Sequence, residues 1–388
     1  MLIRILKVTM LIALLQVSLK MDGQVRIRLF RGLNMDGFIL GIVRGEYEIY
    51  SNGTSQKTLG AGDLIYIARA GEKIAVTSRE SGGFIASGIR LADISGEGIF
   101  SIKPMPGNKP LFEYEGSLEC SYELEKLFLI NEIGIERYVA AVVQAEGGFN
   151  GHPEYFKAQA IIVRTYTSLH LEKHSEDGYN LCDDVHCQVY RGRSVTPVID
   201  EAVDATKGLV VTGPDSLLIL TPFHSNCGGE TVPSDRVWLT GLPYLKAVTD
   251  PYCLYSRNAT WESEINLGDW KQYLEKKGYN GDGDPGSLNF LQNSRKENYV
   301  TSGFHYPLEN IRDDFSLRST FFSVMVAGEK VQLKGRGYGH GVGLCQEGAM
   351  VMATRGFSYS QIIGFYYTGV TIMNTSLVKP GEKIVKSF

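Results

Sequence analysis

The strongest constraint on this chain lies in residues 135–190, where two apolar, helix-forming runs stand on either side of a glycine pair. The first run, YVAAVVQA, holds good helix formers and stops at Gly147-Gly148. The second opens with Pro153 and Glu154, which suit a helix N-terminus, and continues through KAQAIIVRTYTSL. A helix as apolar as this second one is expected to be buried.

Both helices carry groups that conflict with an apolar setting. Glu146 falls in the last turn of the first, where the helix dipole and apolar neighbours both favour the protonated acid. A carboxylic acid that keeps its proton near neutral pH can serve as a general acid. A solvated glutamate after a helix is the plainer alternative. At 100° per residue, Lys157, Arg164 and Ser168 line up within roughly 40° on the second helix. Buried cations need a partner or a ligand, and an internal ion pair would serve as well as a substrate.

A cluster of Cys and His follows: His174, Cys182, His186 and Cys187, with His170 one helical turn before His174. Two thiolates and two imidazoles suit a tetrahedral zinc ion, although H-x7-C-x3-H-C is not a zinc-finger spacing. A Cys182–Cys187 disulfide is the competing reading. Four protein ligands would make a metal structural rather than catalytic. Six cysteines in 388 residues do not make a disulfide scaffold, and Cys227 with Cys253 is the favoured pair if a bridge forms.

Further along, TPFHSNCGGET places His224, Ser225 and Asn226 ahead of a glycine turn, where they could face a ligand. No G-x-S-x-G elbow supports a serine hydrolase. In GRGYGHGVGLCQEGA, glycines at 335, 337, 339, 341 and 343 alternate with larger residues. That pattern fits neither a dinucleotide fingerprint nor a P-loop, so a nucleotide ligand is unsupported. Alternate glycines in an extended segment would admit close approach by a ligand or another strand, with His340 a candidate site residue. A helix from Cys345, closed by Gly356, is expected next.

The remaining chain reads as scaffold. Residues 24–104 form short β-like runs (VRIRLF, GFILGIV, YEIYS, LIYIAR, KIAVTS) between glycine turns, an accessory region without a catalytic constellation. PMPGNKP over 104–110 reads as a linker or wide turn. Residues 255–330 read in part as an insertion. Residues 1–20 carry Arg4 and Lys7 before an apolar run too short to span a bilayer comfortably, which resembles an export signal or N-terminal anchor. A periplasmic or cell-envelope location follows. A net charge of −4 without a basic block argues against a nucleic-acid partner.

Taken together, ERYVAAVVQAEGG, KAQAIIVRTY, CDDVHCQVYRG, the HSNCGGET-to-PYL segment and GRGYGHGVGLCQEGA with FYYTGVTI resemble the SpoIID/LytB family of stage II sporulation protein D and amidase-enhancer relatives. The resemblance covers residues 110–375. It implies an α+β SpoIID-like domain, helices around mixed short sheets, beside the N-terminal β-rich region. It also implies a peptidoglycan lytic transglycosylase that cuts MurNAc–GlcNAc bonds of denuded glycan strands to 1,6-anhydro-MurNAc ends. A non-catalytic, wall-binding enhancer of an N-acetylmuramoyl-L-alanine amidase is the alternative. Glu146 falls on the family's acid/base position and Lys157 and Arg164 on its basic positions. Ser225, Asn226, His340 and Gln346, in the matching HSNCGGET and GRGYGHGVGLCQEGA segments, are candidate substrate-binding residues. The family also carries structural zinc at CDDVHCQVY, which favours metal on His174, Cys182, His186 and Cys187. Cys227 inside the SNCGG turn and Cys345 in place of a more usual serine depart from the family pattern.

Overall fold

The structure is a computed structural model that describes residues 23–78, 82–238, 240–281 and 284–379. The leader-like run 1–20 lies outside the described residues. Among the described residues, no helix is long and apolar enough to cross a membrane. The architecture is α+β, as the sequence implies, and it divides into two compact units. Unit 1 holds the described residues up to Glu146, His170–Val195 and Asn374–Leu377. Unit 2 holds Gly147–Leu169, Thr196–Met373 and the described residues from Val378 on.

Unit 1 is built from strands. In chain order these are β1 (Gln24–Leu29), β2 (Gly37–Arg44), β3 (Tyr47–Ser51), β4 (Thr54–Leu59), β5 (Leu64–Ala70) and β6 (Lys73–Ser78). There follow β7 (Gly82–Ala86), β8 (Gly88–Asp93), β9 (Ile99–Met105), β10 (Phe112–Glu115), β11 (Ser117–Glu123) and β12 (Lys126–Gly134). With β13 (Leu181–Cys182) they make a seven-stranded sheet, β13-β1-β12-β11-β8-β3-β4, and a six-stranded one, β10-β9-β2-β5-β6-β7. The PMPGNKP segment closes β9 and turns into β10, its own antiparallel neighbour.

In β1 the alternation holds for Val25, Ile27 and Leu29, all buried. Arg28 is buried as well: its guanidinium donates to the Leu127 carbonyl at 2.9 Å and covers the Phe128 ring at 3.9 Å. A cation can be buried this way because backbone carbonyls and an aromatic face replace its water. Two features of this sheet position chemistry. β12 runs directly into helix α1 (Ile135–Gly147), and β13 pairs parallel with β1, Arg28 opposite Cys182.

Unit 2 packs around helix α2 (Pro153–Leu169), whose Phe156, Ala160 and Val163 face and Ala158 and Ile162 face are both buried. Helix α3 (Pro197–Ala205) starts at a proline, and strand β14 (Leu209–Thr212) follows it. β15 (Phe223–His224) later pairs in parallel with the strand at residues 344–345. β16 (Thr260–Asn266), helix α4 (Leu267–Lys276), β17 (Asn298–Thr301), β18 (Phe304–Pro307), helix α5 (Leu308–Asp314), β19 (Phe322–Ala327) and β20 (Lys330–Arg336) come next. This region has an apolar cluster of its own, built on Trp270, Leu274, Tyr299, Ile311, Val324 and Leu333. β21 (Leu344–Cys345) then leads into helices α6 (Gln346–Thr354) and α7 (Tyr359–Tyr366).

The alternating glycines depart from the extended segment expected. Gly335 ends a true strand beside Trp261, but Gly337, Gly339, Gly341 and Gly343 all have positive φ, between 73° and 109°. The run is therefore a series of left-handed bends between isolated β-bridges at Tyr338 and Val342, a path that only glycine adopts without strain. The close approach does occur, and the neighbour is the segment 222–232. A Cβ on Gly337 would stand 2.6 Å from the Asn226 carbonyl, and one on Gly339 would stand 2.9 Å from the His224 Cβ.

Candidate active site and metal-binding cluster

Glu146 occupies the last turn of α1, a helix with no basic residue at that end to offset its dipole. One carboxylate oxygen accepts the Val189 backbone N–H at 2.9 Å. Burial raises its pKa, against the opposing pull of that N–H and of the nearby Arg191 cation. The end of α1 is stitched to the segment that supplies the N–H. Gln144 accepts from the Val195 backbone at 2.8 Å, and the Tyr138 and Tyr190 rings pack 5.3 Å apart. Tyr190 in turn donates to Asn131 of β12 at 2.7 Å. The acid is thus placed by the segment 187–195 and the sheet together.

That segment begins at the Cys/His cluster. Cys187 Sγ lies 3.5 Å from His174 Nε2 and 3.6 Å from His186 Nδ1, and Cys182 Sγ lies 3.6 Å from the same nitrogen. Sulfur and nitrogen ligands on a tetrahedral zinc ion stand about 3.6 Å apart, from bond lengths of about 2.3 and 2.0 Å. All four donor atoms fall within 4.8 Å of one another, so this group can hold a metal. Both sulfurs are buried, and a hydrogen bond from Cys187 draws the Cys182 thiol down to about 4 while pushing Cys187 up. The remaining nitrogen of His174 is 3.6 Å from the Asp177 carboxylate, the support a ligating imidazole usually has. Only Gln188 lies between Cys187 and Val189, whose N–H holds Glu146.

A cleft of about 920 Å³ in unit 1 lies elsewhere, over Arg26, Arg90 and Glu119, and Glu146 does not line it. Its charges satisfy one another: Arg26 and Arg90 both reach Glu119, and Arg90 reaches Glu132 at 2.8 Å. The arginines of this cleft are therefore held in ion pairs of their own.

In unit 2, Lys157 is half-buried and pairs with Glu154 at 2.7 Å, and Glu154 also accepts the first N–H of α7. Arg164 is only 1% exposed and donates to the carbonyls of Leu209 at 3.0 Å and Val203 at 3.4 Å. In this position it ties α2 to α3 and β14. Asn226 is fully buried too. Its amide donates to Glu347 at 2.6 Å and to the Cys253 carbonyl at 3.1 Å, while its oxygen accepts from Gly228. Ser225 is half-buried, and its carbonyl accepts the Glu347 N–H. His340 donates from Nε2 to the Phe223 carbonyl and accepts the Val342 N–H on Nδ1, which fixes it as neutral, and burial lowers its pKa to about 4. Gln346 is buried at the first position of α6. Glu347, which sequence reasoning passed over, is the hub here, accepting from Asn226 and twice from Asn258. Its one signal was an acidic residue in a helix's first turn.

The family comparisons agree with this architecture. The SpoIID profile (Stage II sporulation protein) matches residues 123–212, which include α1, α2 and the Cys/His cluster. An uncharacterized protein of Brachyspira hyodysenteriae (strain ATCC 49526 / WA1) is 31% identical over 278 residues, 69% of this chain and 74% of its own length. Stage II sporulation protein D of Bacillus subtilis (strain 168) is 28% identical over 260 residues, covering 63% of this chain and 75% of its own. The amidase enhancer of the same strain is 27% identical over 274 residues, 56% of this chain and 38% of its own. This chain belongs to the SpoIID/LytB family.

Proposed function

We propose that the protein is a peptidoglycan lytic transglycosylase with Glu146 as its single acid/base. The observation that carries the reading is a half-buried carboxyl whose burial raises its pKa, held by one backbone N–H beside a cluster suited to metal. Most glycosidases need two carboxylates, because a water molecule must be activated. A lytic transglycosylase does not. Protonated Glu146 gives its proton to the oxygen leaving MurNAc C1, and the C1–O bond to GlcNAc breaks. The resulting carboxylate takes the proton of the sugar's own C6 hydroxyl as O6 closes onto C1, which leaves a 1,6-anhydro end and restores the acid.

His174, Cys182, His186 and Cys187 would hold a zinc ion with no open position, which supplies rigidity to the loop rather than chemistry. Lys157 is assigned to glycan positioning, since its amine is half-buried beside Glu154. Arg164 contributes through its hold on α2. Ser225, Asn226, His340 and Gln346 shape a second glycan-contacting region through their backbones and the turns they fix.

The test is digestion of denuded glycan strands, with products read by mass spectrometry. Wild type should yield anhydro ends and Glu146→Gln should lose on the order of 10²–10⁴-fold in rate. Undiminished anhydro product from the variant would sink the assignment, and ends one water heavier would indicate a muramidase. The amidase-enhancer likeness over 56% of the chain supports a second reading, a wall-binding stimulator of an amidase. No turnover on purified strands without a partner enzyme would favour it.

A further inference from the structure

Three cysteines and one aspartate, drawn from three separate segments of unit 2, meet at one point. Cys227 Sγ stands 3.4 Å from Cys253 Sγ and 3.2 Å from Asp250 Oδ2. With Cys345 Sγ, the four donor atoms all lie within 4.8 Å of one another, and all four residues are fully buried. Thiolates and a carboxylate on a tetrahedral zinc ion stand about 3.6–3.8 Å apart, from bond lengths of about 2.3 and 2.1 Å. The two Cys227 distances are therefore within a few tenths of an ångström of those in a closed ligand set.

Its surroundings are those of anionic ligands. Cys345 Sγ receives two backbone N–H groups, from Cys227 at 3.3 Å and Gly348 at 3.4 Å. Two donors aimed at one sulfur suit a thiolate, and the carbonyl that could accept a thiol proton, that of Ser225, stands at a long 3.9 Å. Asp250 is oriented on both oxygens, by Tyr252 N–H at 2.8 Å and by the Tyr366 hydroxyl at 2.9 Å, as outer groups orient a ligating carboxylate. Gly348 leaves room for this, because a Cβ there would collide with both the Asp250 carboxylate and the Tyr366 hydroxyl. Arg295 is buried against the same turn and donates to the Cys227 carbonyl at 2.7 Å. Its charge would offset part of the net −2 of a divalent cation with three thiolates and a carboxylate.

A disulfide accounts for less. A Cys227–Cys253 bridge would use two of the three sulfurs. It would leave Cys345 with two donors and no charge to receive them, and Asp250 as a buried, uncompensated anion.

We propose that Cys227, Asp250, Cys253 and Cys345 form a second metal site, a closed structural one that takes a thiophilic divalent cation of the zinc type. Three thiolates exclude the oxygen-seeking Mg²⁺ and Ca²⁺. The site joins the 226–229 turn, the 250–253 loop and the start of α6, where Cys345 is the N-cap. It thereby holds the Asn226–Glu347 bond between residues adjacent to its own ligands. The proposal is independent of the transglycosylase reading, since an inactive protein could hold both ions.

The experiment is metal analysis of the full chain purified without chelator, together with cysteine alkylation read by mass spectrometry. Wild type should carry two zinc ions, and Cys253→Ser and Cys187→Ser one each. Cobalt reconstitution adds a second measure: the thiolate charge-transfer band should fall by about three-fifths in Cys253→Ser, since three of five thiolates leave the metal. If that variant does not fold, Cys345→Ser keeps a capping oxygen and serves in its place. Wild type alone also decides the matter, because Cys227, Cys253 and Cys345 should resist alkylation until the metal is removed. An unchanged metal count in Cys253→Ser, ready alkylation of Cys227, Cys253 and Cys345 in the metal-loaded chain, or a Cys227–Cys253 bridge in the native chain overturns the proposal.

Discussion

The two four-donor clusters differ in how the chain assembles them and in what they border. In unit 1, His174, Cys182, His186 and Cys187 come from one continuous segment, 174–187, His186 is exposed, and the segment runs straight on to the N–H that holds Glu146. In unit 2, Cys227, Asp250, Cys253 and Cys345 come from segments far apart in sequence and are wholly buried. A local cluster can order only its own loop. One that ties distant segments closes large loops of the unfolded chain, and so contributes mainly to global stability. The first is therefore expected to govern activity and the second to govern folding.

The largest effect that sharpens this contrast is on rate. Cys187→Ser should lower turnover on denuded strands about 10–100-fold, because Val189 and with it Glu146 lose their fixed position. Cys253→Ser should cost less in rate at temperatures where it stays folded, but more in thermal midpoint than Cys187→Ser. Equal losses of rate in the two variants would break the distinction. Next in size is the stability of the turn beside the second cluster. Asn226→Ala removes a buried amide that donates to Glu347 and Cys253, leaving a half-buried carboxylate and a carbonyl each short of a donor. We expect a loss of about 2–4 kcal/mol by denaturant titration.

A kinetic difference should follow from exposure. On addition of a chelator, one zinc equivalent should leave quickly, from the cluster with the exposed His186, and the second only at the rate of unfolding. A single exponential for both ions would mean that the clusters share one environment.

These regions were not equally legible in the sequence. The first cluster could be read because its four donors fall within one run of residues, and Glu146 because a helix and its glycine stop bracket it. The runs of β1, β2, β3, β5 and β6 were legible through alternation and glycine turns, whereas the polar β4 was not. The burial of Arg28 and Arg164 was not, because it depends on carbonyls supplied by distant segments. The second cluster was hidden for the same reason. Cys227 and Cys253 could be paired from sequence as a bridge, but Cys345 joins them only through the parallel pairing of β15 with β21 and the cap of α6, and Asp250 through its N–H bond to the Gly229 carbonyl. The glycine run could be read as a place of close approach but not as a series of left-handed turns, since positive φ leaves no trace in residue spacing.

The smallest effect tests whether Glu146 is held in its protonated form by its surroundings. Its pKa is raised in the folded chain, so the native state binds the proton more tightly than the unfolded one. Below the ordinary carboxyl range both states are protonated and no difference arises. As pH rises through that range the unfolded chain ionises first, and stability falls until pH exceeds the folded-state value. Glu146→Gln removes this dependence. Its thermal midpoint relative to wild type should therefore climb by about a degree or two between acid and neutral pH, with the difference flat once both states are ionised. The same comparison in a Cys187→Ser background should show a changed increment, because the N–H that opposes the rise in pKa has moved. An identical increment in both backgrounds would mean that the loop does not position the acid, and the link between the first cluster and Glu146 would be lost.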